Sequence, residues 1–281
     1  MSSTTLVRAL ALSCHPIPSL AVTSLTAGLA LLAGLPPGRG ILVTAAVFTG
    51  QLSIGWSTDY LDAERDLAVD RRDKPVAAGA VAPRVAGLAT VVALTVTIAL
   101  SAALGWPGGA AALGTAACGW AYNLGLKATV FSWVPYAIAF GLLPAVVTLS
   151  DSPPRWPPAW ALTAGALLGV AAHLANALPD LRDDEATGVR GLPHRLGERP
   201  TALTGAGLLL AASAVILFGS GEGAGGQPGW WRPAGFVAAV LVAGAAAASA
   251  VRDPSSQRFF RATILITVMD LIFFALSGTS L

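Results

Sequence analysis

Apolar runs of about 20 residues recur along this chain, and few folds can hold so many of them. That length is what a helix needs to cross a bilayer. Nine segments qualify: roughly 17–36, 40–58, 84–105, 108–125, 131–150, 158–178, 201–219, 233–251 and 261–279. Pro, Gly and charge punctuate them, as at Leu35-Pro36-Pro37-Gly38 and Gly105-Trp106-Pro107-Gly108. The expectation is an all-α, polytopic membrane protein: one domain over residues 1–281, a bundle of about nine transmembrane helices around a central cavity. Only 11% of the residues are charged, against about 25% in soluble domains, which excludes a soluble class. Arg8 before the first run imitates a signal peptide, but the run is long enough to span and more spans follow. Cys14 and Cys118 suggest neither a disulfide framework nor a thiolate metal site. The Gly-rich piece at 219–229 reads as a flexible loop.

Charge sets the orientation. The N-terminus and the loops after the second, fourth, sixth and eighth segments carry 14 of the 17 Lys and Arg residues. Arg39, Arg155 and Arg232 fall on the other side. By the positive-inside rule the chain sits in the cell membrane with its N-terminus and even loops in the cytoplasm. Trp106, Trp156, Trp160, Trp230 and Trp231 flank spans on the outer side, as interfacial anchors do.

Against this background the acids stand out. Two regions, Thr58 to Lys74 and Asn176 to Glu185, hold with Glu198 eleven of the 15 carboxylates. Each lies at the end of an apolar segment. Four segments separate them, so parity returns both to the same cytoplasmic face. Gln51, Gly55, Thr58, Asp62 and Asp66 recur at helical spacing and form one polar stripe. Asn176, Asp180 and Asp184 step by four, with His173 a turn earlier and Asp183 beside them. Like charges so placed repel, and a bound cation relieves this. The oxygen-rich donors suit Mg²⁺ shared with phosphate oxygens. A diphosphate fits the rest, with Lys74, Lys127, Arg71, Arg72 or Arg182 neutralising its oxygens and its remainder among apolar helices. The bland alternative is two solvated loops whose acids pair with nearby Arg. Matching spacing, side and helix ends favour the site.

The residues also resemble a family. Thr58-Asp59-x-x-Asp62-x-x-x-Asp66, followed by Asp73-Lys74-Pro75-x-x-x-Gly79, resembles the first Asn-Asp-x-x-Asp-x-x-x-Asp motif of the UbiA superfamily of intramembrane prenyltransferases, with its downstream basic-Pro element. Asn176-x-x-x-Asp180-x-x-x-Asp184, running on to Gly191-Leu192-Pro193-x-x-Leu196-Gly197, resembles the second motif, and Tyr122-x-x-x-x-Lys127 the tyrosine and basic residue after the fourth helix. Thr58 stands where the family has Asn.

The resemblance implies Mg²⁺ held by Asp62, Asp66, Asp180 and Asp184, with Asn176 orienting a ligand. These would ionise an allylic prenyl diphosphate, and a small, often aromatic, acceptor would capture the cation. Thr58, Asp59, Arg71, Lys74, Tyr122, Asn123, Lys127, His173 and Asp183 are the candidate substrate contacts. For His173 a structural hydrogen bond is an equal alternative, and for Tyr122 and Asn123 an interfacial anchor is; Asp270, alone in the last segment, reads as a structural polar contact. Cys14-His15-Pro16 reads as an entry turn before the first segment, although His15 lies on the cytoplasmic side and could reach the acids. The lipid bilayer is the surrounding partner and no nucleic acid is expected; oligomeric state is open. Two other readings stand beside a transferase. A membrane terpene cyclase on the same scaffold is one, and a transporter or non-catalytic scaffold is the other, although transporters favour ion sites near the midplane.

Overall fold

The computed structural model describes residues 3–71, 74–219, 229, 231–276 and 281. Arg72, Asp73, Trp230 and positions 220–228 of the expected Gly-rich loop lie outside the described residues. Proline opens most of the long helices, as its fixed φ and missing N–H favour at a first turn. α1 (Ser3–Ser13) meets α2 (Pro16–Leu32) at a bend of 66°, where His15 adopts a left-handed φ of 53°. α3 (Pro37–Ala68), α4 (Pro83–Ala103), α5 (Trp106–Asn123), α6 (Val134–Thr148) and α7 (Ala159–Ala177) follow. A 3₁₀ turn and two short helices, α8 (Leu181–Ala186) and α9 (Leu192–Leu196), lead into α10 (Glu198–Gly219), α11 (Trp231–Arg252) and α12 (Arg258–Leu276).

Every predicted apolar segment is a helix, and no strand occurs among the described residues. The protein is an all-α, multi-pass membrane bundle. Helix length and hydropathy do not confirm the count of nine expected from the apolar runs. Six described helices are long and apolar enough to cross a membrane, or seven if α1 and α2 form one bent span. α6 is 15 residues long with Pro144 inside it, and α5 carries four glycines, two tryptophans, a tyrosine and an asparagine. Both nevertheless run from one end of the bundle to the other: α5 leads from the Arg39 end to Lys127 on Asp62, and α6 leads back to Ser150 on Arg39.

Neighbours in sequence pack as neighbours in space from α2 to α7; α10 then packs on α7, α11 on α10, and α12 on α11. α12 also touches α2 and α7, which closes the bundle. The core runs through this ring: Val43, Ala46, Val146, Ala171, Leu209 and Ile266 are all buried in one cluster. At one end Arg39, near the start of α3, donates from Nε to the Ser150 carbonyl (2.6 Å) and from Nη2 to that of Leu104 (2.6 Å). It thereby ties the start of α3 to the ends of α4 and α6. The acidic stretches lie at the opposite ends of their helices.

α3 positions the first of them. Its 32 residues reach about 48 Å at the α-helical rise, well beyond a hydrocarbon core of about 30 Å. The helix therefore carries Asp59, Asp62 and Asp66 past its apolar length without a break. The second stretch differs from expectation. Pro179 has no N–H to continue α7, so the chain tightens into the 3₁₀ turn at Leu178–Asp180 before α8 begins. Asn176, Asp180 and Asp184 are thus carried on α7, the 3₁₀ turn and α8 in succession rather than on one uninterrupted α-helix.

Candidate active site

The acidic ends meet through basic side chains. Lys127, in a single 3₁₀ turn after α5, places Nζ 2.5 and 2.6 Å from the two oxygens of Asp62. Arg65 reaches the same carboxylate at 2.6 Å, one turn along α3. Arg71, just beyond α3, donates from Nη1 to Asp180 Oδ1 at 3.1 Å and lies 3.8 Å from Asp183. One guanidinium therefore joins the two stretches across 109 residues of sequence. Asp184 is close enough to interact electrostatically with Asp62, Lys127 and Arg65. Parity fixed only the side; the packing brings the stretches together.

Burial sharpens the electrostatics. Asp62 and Asp66 are 8% and 9% exposed, and Asp66 Oδ2 has no hydrogen-bond partner. Such a carboxylate oxygen is costly unless something binds it. Burial pushes the Lys127 ammonium pKa down, and the Asp62 carboxylate opposes that shift. The arrangement suits a hard cation: the donors are oxygens, arranged as pairs rather than a closed cage. Among the described residues no group of three or more His, Cys, Asp or Glu side chains is placed to hold a metal ion by itself. Cations of this kind take one or two carboxylates and complete their shell with water and phosphate oxygens.

The remaining candidates divide. Lys74 sits 3.3 Å from Asp59 and 3.2 Å from His15 Nε2, so the break between α1 and α2 closes onto the site. Asn176 is half-buried near the end of α7. Asn123 is committed to packing: its amide donates to Ser57 Oγ (2.7 Å) and the Ile54 carbonyl (3.0 Å), holding α5 on α3. Thr58 Oγ1 lies 2.9 Å from the Ile54 carbonyl and 3.1 Å from Asn123 Oδ1, inside the same seam. His173 is buried, with Nε2 3.0 Å from Ser132 Oγ, which also accepts from the Leu192 amide (2.9 Å). The Tyr122 ring meets those of Tyr136 and His173 edge-on, at 5.2 and 5.7 Å. Arg182, a possible phosphate contact by sequence, is exposed and pairs with Glu198 at 3.1 Å instead.

Sequence reasoning missed Arg65, His194, Ser132 and Tyr136. Arg65 was findable, since it is three residues from Asp62 on one helix. His194, whose Nε2 is 3.7 Å from Asp184 Oδ2, carries no such local signal. Asp270 accepts from Ser213 Oγ at 2.9 Å, the structural contact expected of it.

Fold and site together define a polytopic membrane protein with paired acidic motifs at one end of an apolar bundle. Residues 19–274 match the UbiA prenyltransferase family, and the chain belongs to that family. Solved structures share the fold. One is a UbiA homolog from Archaeoglobus fulgidus bound to GPP and Mg²⁺: 13% identity, TM-score 0.72, covering 96% of this chain and 99% of that one. The same homolog bound to DMAPP and Mg²⁺ gives 14% identity and TM-score 0.69, with 96% and 98% covered. A UbiA homolog from Aeropyrum pernix K1 in its apo form gives 18% identity and TM-score 0.68, with 90% and 96% covered. No curated protein sequence matches the chain significantly.

Proposed function

We propose that this protein transfers a prenyl group from an allylic prenyl diphosphate to a small acceptor, favoured to be aromatic, in an Mg²⁺-dependent reaction. The observation that carries this reading is the link from Arg71 to Asp180, with Lys127 on Asp62. It gathers two acid pairs and their cations at one end of an apolar bundle. Family membership and the ligands of the archaeal relatives support the same class of donor.

Asp62, Asp66, Asp180 and Asp184, with Asn176, would hold Mg²⁺, which supplies stabilisation of the diphosphate as the allylic C–O bond breaks. Lys127, Arg71 and Lys74 neutralise the outer phosphate oxygens, and Asp59 orients Lys74. Asp183 and Thr58 support this polar end. The electron pair of the C–O bond leaves with the diphosphate; the acceptor forms the new bond to that carbon and loses a proton. Tyr122 and Tyr136, beside His173, wall the apolar side, excluding water from the cation and offering it ring faces. The whole chain works as one domain, with the acidic ends and the N-terminus on the cytoplasmic side, as the Lys and Arg distribution indicates.

The test is incubation of purified protein with DMAPP, GPP and longer prenyl diphosphates plus an acceptor panel, reading product masses. Acceptor adducts that vanish with EDTA and return with Mg²⁺ are expected. Turnover surviving chelation sinks the reading, and products without acceptor mass assign the cyclase reaction instead. A cysteine introduced beside Arg195 should be labelled only from the cytoplasmic side; labelling from outside overturns the orientation.

A further inference from the structure

A second polar feature lies away from the acidic ends, toward the start of α7. A cavity of about 60 Å³ sits among α2, α6, α7, α10 and α12. Its wall includes Leu143, Leu168, Phe140, Trp160 and Phe274, the last two with ring centroids 5.2 Å apart. Asp270 also lines it, as does Thr267, whose hydroxyl is taken by the Thr263 carbonyl at 2.9 Å. Leu168 is twelve residues before Asp180, about 18 Å along the helix axis.

Asp270 is 2% exposed and lies in the middle of a span, where an acid is expensive and needs a role. Ser213 accounts for one of its two carboxyl oxygens. Among the described residues no other hydrogen bond reaches the side chain, so the second oxygen is left to the cavity that Asp270 lines. No Lys, Arg or His shares the wall. An anion would be repelled here, and a purely apolar guest would leave the oxygen unsatisfied. A hydroxyl donor on an apolar body meets both demands, and the volume exceeds by several-fold what one water requires.

We propose that this cavity binds the hydroxyl end of a lipophilic alcohol or phenol, with Asp270 Oδ1 accepting a hydrogen bond from it and Ser213 fixing the carboxyl group through Oδ2. The site is independent of the acidic motifs and of the reaction assigned to them. Trp160 gives a direct readout. Full-length protein in detergent is titrated with 4-bromophenol and, separately, 4-bromoanisole, which has the same ring and bromine but no donor, while tryptophan quenching is followed. Saturable quenching by the phenol, lost in Trp160→Phe, is expected, with affinity about tenfold above the anisole. Asp270→Leu should erase that preference, and Ser213→Ala should keep it; helix content and melting temperature confirm that each variant is folded. Equal affinities for the two probes in the wild type overturn the proposal without recourse to any variant. So does the absence of saturable quenching, or a preference that survives in Asp270→Leu. Water alone in the cavity is reported by the second of these outcomes.

Discussion

Lys127 Nζ lies 2.5 and 2.6 Å from the two carboxylate oxygens of Asp62, and both side chains are only 11% exposed. A charge held so closely in an apolar surround is placed to bind any other anion that enters. Replacing Lys127 with Met keeps much of the stem and removes the ammonium. The expected result is a fall in kcat/KM for the prenyl diphosphate of about 10- to 100-fold, the ~1.4–2.7 kcal/mol typical of charge-assisted contacts. Lys127→Arg should retain more. Diphosphate release assayed across substrate concentrations checks this; a change within twofold removes Lys127 from the site.

Arg71 makes a separable contribution. It joins Asp180 to the α3 side, but Asp180 is 38% exposed, so the pair adds little to stability. Arg71→Ala should therefore lower kcat/KM by at least tenfold while leaving the melting temperature almost unmoved. An equal loss of stability and activity would make the bridge merely structural.

These two side chains also show where sequence is legible and where it is not. The stripe through Asp62 and Asp66 follows from local spacing, and α3 carries it unbroken. Asp180 and Asp184 follow from the same rule, yet Pro179 interrupts the α-helix with a 3₁₀ turn between Asn176 and Asp184. The partners of the acids lie far off in sequence: Lys127 is 65 residues from Asp62, and Arg71 is 109 from Asp180. Such pairs depend on which helices pack together, and apolar runs with similar composition do not specify that. His194 and Ser132 were invisible for the same reason. Helix positions were legible, but the exact number of spans was not, because α5 and α6 do not stand out by length and hydropathy alone.

Thr58 stands where the family motif has Asn, and its hydroxyl serves the seam with Asn123 rather than the acids. Thr58→Val conserves the shape and deletes the hydrogen bond. It should cost about 0.5–1.5 kcal/mol of stability and leave kcat within about fivefold. Thermal denaturation and turnover measured on one preparation decide the matter. A loss of activity beyond 100-fold with the fold intact would place the hydroxyl at the reacting groups.

The packing that carries the second motif makes the last prediction. Gly165 and Gly169 lie one turn apart on α7, and a Cβ on either would overlap a backbone carbonyl of α6, that of Phe140 or Tyr136. Small residues at this spacing let membrane helices approach closely. Because the obstacle is backbone, no rotamer change relieves it; α7 must move from α6, shifting His173 away from Tyr136. Gly169→Ala should thus cost about 1–3 kcal/mol and lower the melting temperature. Gly207, on α10, faces open space, with nothing within 4 Å of a built Cβ. The same substitution there should stabilise by up to about 1 kcal/mol through helix propensity alone. Opposite signs for the two variants, read by thermal denaturation, isolate the close contact from the general preference for Ala; matching signs would show that α6 and α7 do not depend on it.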